Sequence, residues 1–174
     1  MEDVGYIALG ANLGDRIGAM RASVCRLDAR RDMTVSRTSP VYEAEAHTAE
    51  PGAVQPPYLN AVIEVRTSLT PEQVLAICQA LESAAGRERR VRWMSRTLDL
   101  DLLTLGAHIR QAPELVLPHP RLEQRRFVLQ PWNDLAPNLY VPKPFEASVG
   151  LLLHRCSDAH RVVRTHLTLR KPPM

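Results

Sequence analysis

Apolar and polar residues alternate with a period of two in two stretches of the chain, which is the pattern of a β-strand with two different faces. Three shorter apolar segments are typical of buried strands. In chain order, the predicted strands are Tyr6–Leu9, Met33–Thr38, Tyr58–Thr67, Arg96–Leu103 and Leu115–Leu117. In Tyr58–Thr67, Leu59 and its alternate neighbours face one way, and Asn60 and its alternate neighbours face the other.

Two other stretches carry apolar residues at the spacing of an amphipathic helix. Asp15 is expected to cap the first helix, and Thr70 followed by Pro71 is a strong start for the second. The inward positions are Ile17, Met20, Val24 and Leu27 in the first helix, and Val74, Ile77, Cys78 and Leu81 in the second, which is expected to end near Gly86.

The resulting order β-α-β-β-α-β predicts an α+β fold with a ferredoxin-like core, in which a mostly antiparallel sheet is flanked by helices in three layers, α-β-α. A chain of 174 residues suits one domain, 1–174. Residues 10–14 are expected to form a turn, and their spacing is not the GxGxxG of a dinucleotide fold. Residues 43–57 are expected to be a long irregular loop, and 155–174 a basic tail without an assigned role.

The net charge is +3, and the arginines concentrate at 87–96 and 121–126. This charge fits an acidic small molecule as well as it fits nucleic acid, so it does not choose between them. Three widely spaced cysteines, without a CxxC pair, indicate neither a disulfide framework nor a thiolate metal site. There is no charged segment followed by an apolar run at the start, and no apolar stretch approaches about 18 residues. We therefore expect a cytoplasmic protein without a membrane partner.

Asp99 and Asp101 share one face of the strand Arg96–Leu103, about 6.6 Å apart along the chain. Two such carboxylates can hold Mg²⁺ ions about 3.5–4 Å apart, as in two-metal phosphoryl-transfer sites. An ordinary amphipathic strand with one exposed face has the same alternation. The sequence of this strand alone does not decide between that alternative and a metal site. The neighbouring arginines favour a magnesium–nucleotide site, because guanidinium groups bind phosphate oxygens in pairs.

Three segments around this strand carry a family resemblance: GRERRVRW before it, RTLDLDLL within it and PHPRLEQRRFVL after it. With residues 6–14 and 57–61, they resemble the 6-hydroxymethyl-7,8-dihydropterin pyrophosphokinases of folate biosynthesis. The resemblance implies transfer of the β,γ-pyrophosphoryl group of ATP to the hydroxymethyl group of the pterin, with release of AMP. It also implies two Mg²⁺ ions bound with ATP, and ATP and 6-hydroxymethyl-7,8-dihydropterin as substrates.

The resemblance assigns roles residue by residue. The implied catalytic residues are Arg87, Arg89, Arg96, Asp99 and Asp101, and the two aspartates are also the metal ligands. The implied ATP-binding residues are Gln79, Glu82, Arg92, Leu102, His119 and Arg125. The implied pterin-binding residues are Gly10, Ala44, Tyr58, Asn60, Trp93 and Phe127. Residues alone leave blander alternatives open, namely a solvated helix face at Gln79 and Glu82, an Asn60 bound to loop backbone, and an exposed arginine loop.

The chain departs from the family pattern at three places. Met94-Ser95 stands where Gly-Pro is common, Glu114 replaces an arginine, and the loop at 43–57 is longer than in short members. The loop at Ala44-Glu45 and Met94-Ser95 leave open a paralogue that has kept the metal-ATP site but changed its acceptor, whereas Glu114 bears on ATP binding. An RNA-binding ferredoxin-like module is the second rival, although the chain has only 5% aromatic residues for base stacking and no RNP-like motif. We expect no nucleic acid partner, and a monomer.

Overall fold

The computed structural model describes residues 2–46, 55–86 and 97–170. Four α-helices lie in these ranges: α1 (Arg16–Asp28), α2 (Pro71–Ala84), α3 (Arg126–Leu135) and α4 (Val149–Arg155). The strands, numbered in chain order, are β1 (Asp3–Ala11), β2 (Met33–Thr38), β3 (Tyr42–Ala44), β4 (Tyr58–Thr67), β5 (Asp99–Leu105), β6 (Arg110–Ala112), β7 (Leu115–Leu117), β8 (Tyr140–Val141), β9 (Ala147–Ser148) and β10 (Val162–Arg164). A single 3₁₀ turn in the described part, Leu122–Gln124, precedes α3.

The main sheet has the strand order β10-β3-β4-β1-β5. Strand β2 also pairs with β4, at residues 63–67 of β4, whereas β3 pairs with residues 58–60. Every pairing in this sheet is antiparallel. The order β5-β1-β4-β2, with α1 and α2 as the connecting helices, is that of a ferredoxin-like core, so the predicted fold class is confirmed. The pairs β6-β7 and β8-β9 form two small hairpins.

Each face of the sheet is covered by its own apolar cluster, which gives the predicted three layers. On one face, Ile7 and Leu9 of β1 pack with α1 and α2 through residues such as Val24 and Cys78. On the other face, Ala8 and its neighbours pack with α3 and α4 through residues such as Trp132. The alternation predicted for β4 is confirmed, because Leu59, Ala61, Ile63 and Val65 lie in the first cluster and Val62 lies in the second.

The helix starts follow the sequence signals. The Asp15 carboxylate accepts a hydrogen bond from the Gly18 amide at 3.0 Å, as an N-cap does. At α2, the Thr70 hydroxyl accepts from the Gln73 amide and the Gln73 side chain accepts from the Thr70 amide, which is a capping box. Within the described residues, no helix has the length and apolar character required to cross a membrane.

Three features differ from the sequence-based expectation. The expected turn at 10–14 begins later, because β1 continues through Gly10 and Ala11, whose backbones pair with β4. The first two residues of the irregular loop expected at 43–57 belong to β3 instead. The tail is structured as far as residue 170: β10 pairs with β3, and Leu169 is buried in the core.

Glu64 of β4 is the centre of a buried polar network on the α3 face. Its carboxylate accepts hydrogen bonds from Tyr6 Oη and Ser36 Oγ, each at 2.7 Å, and from Arg37 through Nε at 3.1 Å and also through Nη2. Arg37 Nη1 also donates to the Leu135 carbonyl at 3.0 Å, at the end of α3. The Arg37 hydrogen bonds outweigh burial and hold the pKa of Glu64 at about 2, and burial together with Glu64 raises the pKa of Tyr6 to about 12.

We predict that Glu64→Gln lowers the free energy of unfolding at pH 7 by about 2 kcal/mol, because the change removes the buried carboxylate that accepts from Tyr6 and from Arg37, whose half-exposed side chain is partly screened by water. The folded-state pKa of Glu64 lies below its ordinary value of 4.5. Its contribution is therefore present above pH 4.5 and is lost as the pH falls toward 2. Urea denaturation of both proteins at pH 7 and at pH 3 measures the difference, which should shrink at pH 3.

The control is Asp32→Asn, because Asp32 accepts from Arg30 at 2.7 Å in an exposed pair. An exposed pair is screened by water, so this change should have a much smaller effect. Equal losses in the two variants at pH 7 would contradict the role given to the Glu64 network.

Candidate active site

Three adjacent strands bring Asn60, Gly10 and Asp99 into one row on the α3 face of the sheet. Gly10 of β1 lies opposite Asn60 of β4 on one side and opposite Asp99 of β5 on the other. Two residues back along β1, Ala8 lies opposite Asp101. Because side chains alternate across a strand, Asp99 and Asp101 face the same side as Asn60. The sequence prediction that the two aspartates share a face, with Leu100 opposite, is therefore confirmed.

Gly10 has no side chain, so an open space, which we call the floor of the site, lies between the side chains of Asn60 and Asp99. A Cβ atom at this position would lie 3.5 Å from Asn60 Oδ1, 3.7 Å from Tyr58 Cδ1 and 4.0 Å from Asp99 Cβ. These are ordinary contact distances, so a side chain here would fill the space rather than break the strand. We call Gly10, Tyr58, Asn60, Asp99 and Asp101 the sheet cradle.

Asn60 supplies the amide of the cradle. Asn60 is buried, and its Nδ2 donates to the Tyr58 carbonyl at 3.3 Å. This hydrogen bond to nearby backbone is the alternative to pterin binding that the residues alone left open. A side-chain amide has two N–H donors and a carbonyl acceptor, so this one bond does not exhaust its capacity. Ala44 of β3 lies opposite Tyr58 and is buried.

Asp101 joins the cradle to the segment before α3 through contacts with Arg125 and His119. Its Oδ2 accepts from Arg125 Nη1 at 2.6 Å and lies 3.9 Å from His119 Nε2. The Arg125 guanidinium carbon is 5.9 Å from the centre of the Phe127 ring, within cation–π range. Arg125, Phe127 and His119 thus lie together at the Asp101 end of the cradle, and the ATP and pterin roles that the resemblance assigns to them stay predictions.

His119 is anchored to an irregularity in β5. The register between β1 and β5 shifts at Tyr6 and Ile7, which leaves Leu103 as the extra residue of a bulge. The Leu103 carbonyl accepts from the His119 amide at 2.9 Å. The Arg121 amide donates to His119 Nδ1 at 3.2 Å, so the neutral imidazole carries its proton on Nε2, the atom that points toward Asp101.

The imidazole of His119 is neutral near pH 7. Burial lowers its pKa from 6.5 to about 4, and the charges of Arg125 and Arg121 act in the same direction while Asp101 opposes them. His119 can therefore donate a hydrogen bond through Nε2 to a phosphate oxygen without adding a charge.

The donor set of the cradle fits Mg²⁺ that arrives with a nucleotide. Asp99 and Asp101 supply hard carboxylate oxygens from one face of β5, and Mg²⁺ usually takes one or two carboxylates and completes its shell with water and phosphates. Within residues 2–46, 55–86 and 97–170, no group of three or more His, Cys, Asp or Glu residues could hold a metal ion alone. Two carboxylates with substrate phosphates are thus the arrangement that these residues support.

Two of the expected ATP-binding residues are buried. Glu82 is 3% exposed, and its Oε1 accepts from the Leu100 amide of β5 at 2.8 Å, so the alternative of a solvated helix face is wrong for this residue. Gln79, on the same helix, is half-buried. The Leu102 side chain lies in the core beneath the sheet, and its contact with ATP stays a prediction. Glu114 is exposed in the turn between β6 and β7.

The alternation in Arg96–Leu103 predicts that Thr97 shares the face of Asp99 and Asp101, and this prediction is wrong. Thr97 precedes β5 and lines a cavity of about 250 Å³ with residues of α1 and α2, on the opposite side of the sheet. The remaining predicted residues, Arg87, Arg89, Arg92, Trp93 and Arg96, lie outside the described residues, as does Met94-Ser95.

Asn12 and Arg16 were missed from the sequence. Arg16 Nη1 donates to Glu43 Oε2 at 2.9 Å and to the Pro57 carbonyl at 2.7 Å, and Asn12 Nδ2 donates to the Pro56 carbonyl at 3.2 Å. These bonds tie the start of α1 to β3 and to the chain just before β4, beside the cradle. The Arg16 partners are 27 and 41 residues away, so no local pattern could have indicated them.

The model of one protein family, 7,8-dihydro-6-hydroxymethylpterin-pyrophosphokinase (HPPK), matches residues 6–137. The chain belongs to this family. Every candidate site residue, from Gly10 to Phe127, falls inside the match to the HPPK family, and residues 138–174 fall outside it. The expectation of a pyrophosphokinase is therefore confirmed at the level of the family.

Individual HPPK proteins agree with this assignment. The chain is 40% identical over 135 residues to the 2-amino-4-hydroxy-6-hydroxymethyldihydropteridine pyrophosphokinase of Bacillus subtilis, covering 78% of this chain and 79% of that protein. It is 36% identical over 137 residues to the enzyme of the same name from Pseudomonas aeruginosa, covering 79% and 83%.

Solved structures agree in fold. An HPPK-DHPS crystal structure in complex with substrates superposes with a TM-score of 0.66 at 12% identity, over 88% of this chain and 43% of that one. A Plasmodium falciparum HPPK-DHPS structure gives a TM-score of 0.65 at 11% identity, over 89% and 45%. The chain thus spans less than half of these longer proteins, and at such identities the likeness concerns the fold alone.

We predict that His119 titrates with a pKa of about 4 and that its neutral form carries the proton on Nε2. Because the Asp101 charge raises this pKa, Asp101→Asn should lower it further. Two-dimensional NMR of the imidazole nitrogens against pH measures both quantities. Asp134→Asn is the control, since that carboxylate accepts from Tyr42 instead. An unchanged His119 titration in Asp101→Asn would contradict the coupling.

Proposed function

We propose that the protein transfers the β,γ-pyrophosphoryl group of ATP to 6-hydroxymethyl-7,8-dihydropterin, forming the pterin diphosphate and AMP in folate biosynthesis. The single observation that carries the proposal is the shared face of Asn60, Gly10, Asp99 and Asp101, with Arg125 bonded to Asp101 at its edge. In this arrangement, a slot for a flat heterocycle would adjoin a site for metal and phosphate. Membership of the HPPK family supports the same reaction.

The pterin would lie over Gly10, where the missing Cβ leaves room for a ring. Asn60 has donors and an acceptor suited to the hydrogen-bonding edge of a pterin. Phe127 supplies an aromatic surface beside the cradle, and Trp93 is proposed as its counterpart on the other side of the ring. Tyr58 and Ala44, opposite each other on β4 and β3, would form the remaining wall.

In the proposed reaction, the hydroxymethyl oxygen attacks the β-phosphorus of ATP. A new bond forms between this oxygen and the β-phosphorus, the bond from the β-phosphorus to the oxygen bridging it to the α-phosphorus breaks, and AMP leaves with that oxygen. Asp99 would accept the hydroxyl proton. Mg²⁺, two ions with ATP, would be held by Asp99 and Asp101 and would neutralise charge developing on the phosphates.

Arg125 has two tasks in this proposal. A guanidinium group has five N–H donors, so Arg125 can keep its bond to Asp101 and still bind the transferred group. His119 would donate through Nε2 to the nucleotide phosphates. Gln79 and Glu82 would border the adenine nucleotide, with Leu102 beside them, and Arg87, Arg89, Arg92 and Arg96 would grip the phosphates.

The cover over the sheet weighs against the RNA-binding rival. Such modules stack bases on an open sheet face. Here α1 and α2 pack on one face and α3 and α4 on the other. The monomeric state and the cytoplasmic location stay predictions.

The experiment that tests the proposal mixes the protein with Mg²⁺, ATP and 6-hydroxymethyl-7,8-dihydropterin and identifies the nucleotide product. We expect AMP in a one-to-one ratio with pterin diphosphate, no AMP without the pterin, and no turnover after chelation of the metal. ADP would instead indicate ordinary phosphoryl transfer. Tight ATP binding without turnover would favour a paralogue with another acceptor.

We predict that Asp101→Asn lowers kcat by about 10³-fold or more while the protein stays folded, because the substitution removes a charge aimed at the metal and the phosphates. The dependence on Mg²⁺ concentration should shift to higher values. Glu72→Gln is the matched control: Glu72 also accepts from an arginine, Arg110, at 2.7 Å, but on an exposed turn of α2. Near-normal turnover in folded Asp101→Asn would remove Asp101 from the metal site.

A further inference from the structure

Residues 157–170, which we call the C-terminal strap, lie beyond the part of the chain that matches the HPPK family, yet they contact two walls of the candidate site. One contact is with the start of α3, which carries Arg125 and Phe127. The other is with β3, which carries Ala44. Neither contact was expected from the sequence, where the tail has little periodicity.

Asp158 supplies the cap that α3 lacks. The N-cap residue of α3 is Arg125, and its side chain makes no capping hydrogen bond. Asp158 Oδ2 instead accepts from the Arg126 amide at 3.0 Å, and the Asp158 carbonyl accepts from Arg126 Nε at 2.8 Å. The Asp158 side chain is only 2% exposed. A carboxylate at this end of a helix also interacts favourably with the helix dipole.

His160 holds the Asp158 carboxylate from the other side. Its amide donates to Asp158 Oδ1 at 3.0 Å, and its Nδ1 lies 2.5 Å from the same oxygen. The Ser157 amide donates to the Glu123 carbonyl at 3.3 Å, just before α3. The two oxygens of Asp158 therefore join the strap to the first turn of α3 in a defined orientation.

This turn is the one that presents site residues to the cradle. The Arg125 carbonyl accepts from the Val128 and Leu129 amides, each at 3.0 Å, so the backbone of Arg125 is part of the helix start. The Arg125 side chain reaches Asp101, and the Phe127 ring lies beneath its guanidinium group. A continuous chain of contacts thus runs from Asp158 through the start of α3 to a proposed metal ligand.

The strap also borders the pterin side of the site. In β10, Val162 lies opposite Ala44 and Arg164 lies opposite Tyr42, while Tyr42 lies opposite Asn60 on the other side of β3. Thr165 donates to the Val41 carbonyl through its amide and its hydroxyl, each at 2.9 Å. Further along, Leu169 is buried in the core, and Arg21 Nε donates to the Thr168 carbonyl at 2.9 Å. The strap is therefore anchored at both ends.

We propose that Asp158 is a positioning residue: by capping α3 from the C-terminal strap, it holds Arg125 against Asp101 and Phe127 at the edge of the sheet cradle. This inference rests on the proposed function for the roles of Arg125 and Phe127. It predicts that a change outside the family-matched region alters pterin binding and turnover, although Asp158 is buried behind the start of α3 and is not one of the cradle residues.

The test compares Asp158→Ala with Asp158→Asn and with Ser148→Ala. Ser148 caps α4 by accepting from the Leu151 amide at 3.2 Å. Its replacement therefore removes the cap of a helix that contains no residue of the candidate site. Asp158→Ala should weaken pterin binding and lower kcat by about 10- to 100-fold, because small displacements of positioned groups have effects of this size. Asparagine has one acceptor oxygen, so Asp158→Asn can keep the cap on the Arg126 amide but loses the acceptor for His160, and its losses should fall between those of Asp158→Ala and wild type.

Calorimetric titration with the pterin, kcat and KM for ATP are measured in each variant, together with the melting temperature. Ser148→Ala should lower the melting temperature while leaving pterin affinity and kcat unchanged. If Asp158→Ala loses no more pterin affinity and kcat than Ser148→Ala does, the positioning role is overturned.

If Asp158→Ala does not fold, His160→Ala provides the test, because the His160 side chain is 44% exposed and its removal loosens only one oxygen of Asp158. We expect about threefold weaker pterin binding from the lost hydrogen bond, and no change would overturn the inference.

A crystal structure of Asp158→Ala separates this inference from the proposed function. If wild-type protein forms no AMP, the proposed reaction is wrong, but the position of Arg125 still tests the strap. The inference requires that the bond of 2.6 Å between Arg125 Nη1 and Asp101 Oδ2 is lost or displaced in the variant. An unchanged bond, with an unchanged start of α3, contradicts the inference whatever the reaction is.

Discussion

Strand β1 pairs with β4 on one side and with β5 on the other, so its register decides which side chains of three strands share a face. A slip of one residue would turn every side chain of a strand to the opposite face. In the observed register, Ile7 and Leu9 enter the core while Gly10 stands between Asn60 and Asp99. The requirement to bury the apolar face therefore also brings an amide, an open floor and two carboxylates together.

The side chains of His119 and Arg125 reach this face from segments outside the sheet. The bulge in β5 leaves a carbonyl, on Leu103, that holds the His119 backbone, and the first turn of α3 delivers Arg125 to Asp101. On the other edge, Arg16 fastens β3 to the chain before β4. Neutral His119 beside positively charged Arg125 keeps the local charge moderate, because burial prevents the imidazole from gaining a proton.

Sequence patterns were sufficient for β2, β4, α1 and α2, because each has a clear period and, for the helices, a local cap. They also predicted the shared face of Asp99 and Asp101, and the resemblance to the HPPK family named the chemistry. They failed where partners are distant in the chain. Gly10 reads as a turn residue until both neighbouring strands are present, and β10 is too short to have a period. Glu82 reads as a surface residue, and its partner on β5 is 18 positions away.

Strand β5 is the last strand of the main sheet, and the amide of Leu100 would be exposed on its outer edge if Glu82 did not accept its hydrogen. Unpaired edge amides are templates on which another chain can add a strand. Because the Glu82 side chain is buried there under α2, an incoming strand would have to break its hydrogen bond to the Leu100 amide. The same contact that joins helix to strand thus protects β5, the strand of Asp99 and Asp101, from aggregation through its edge.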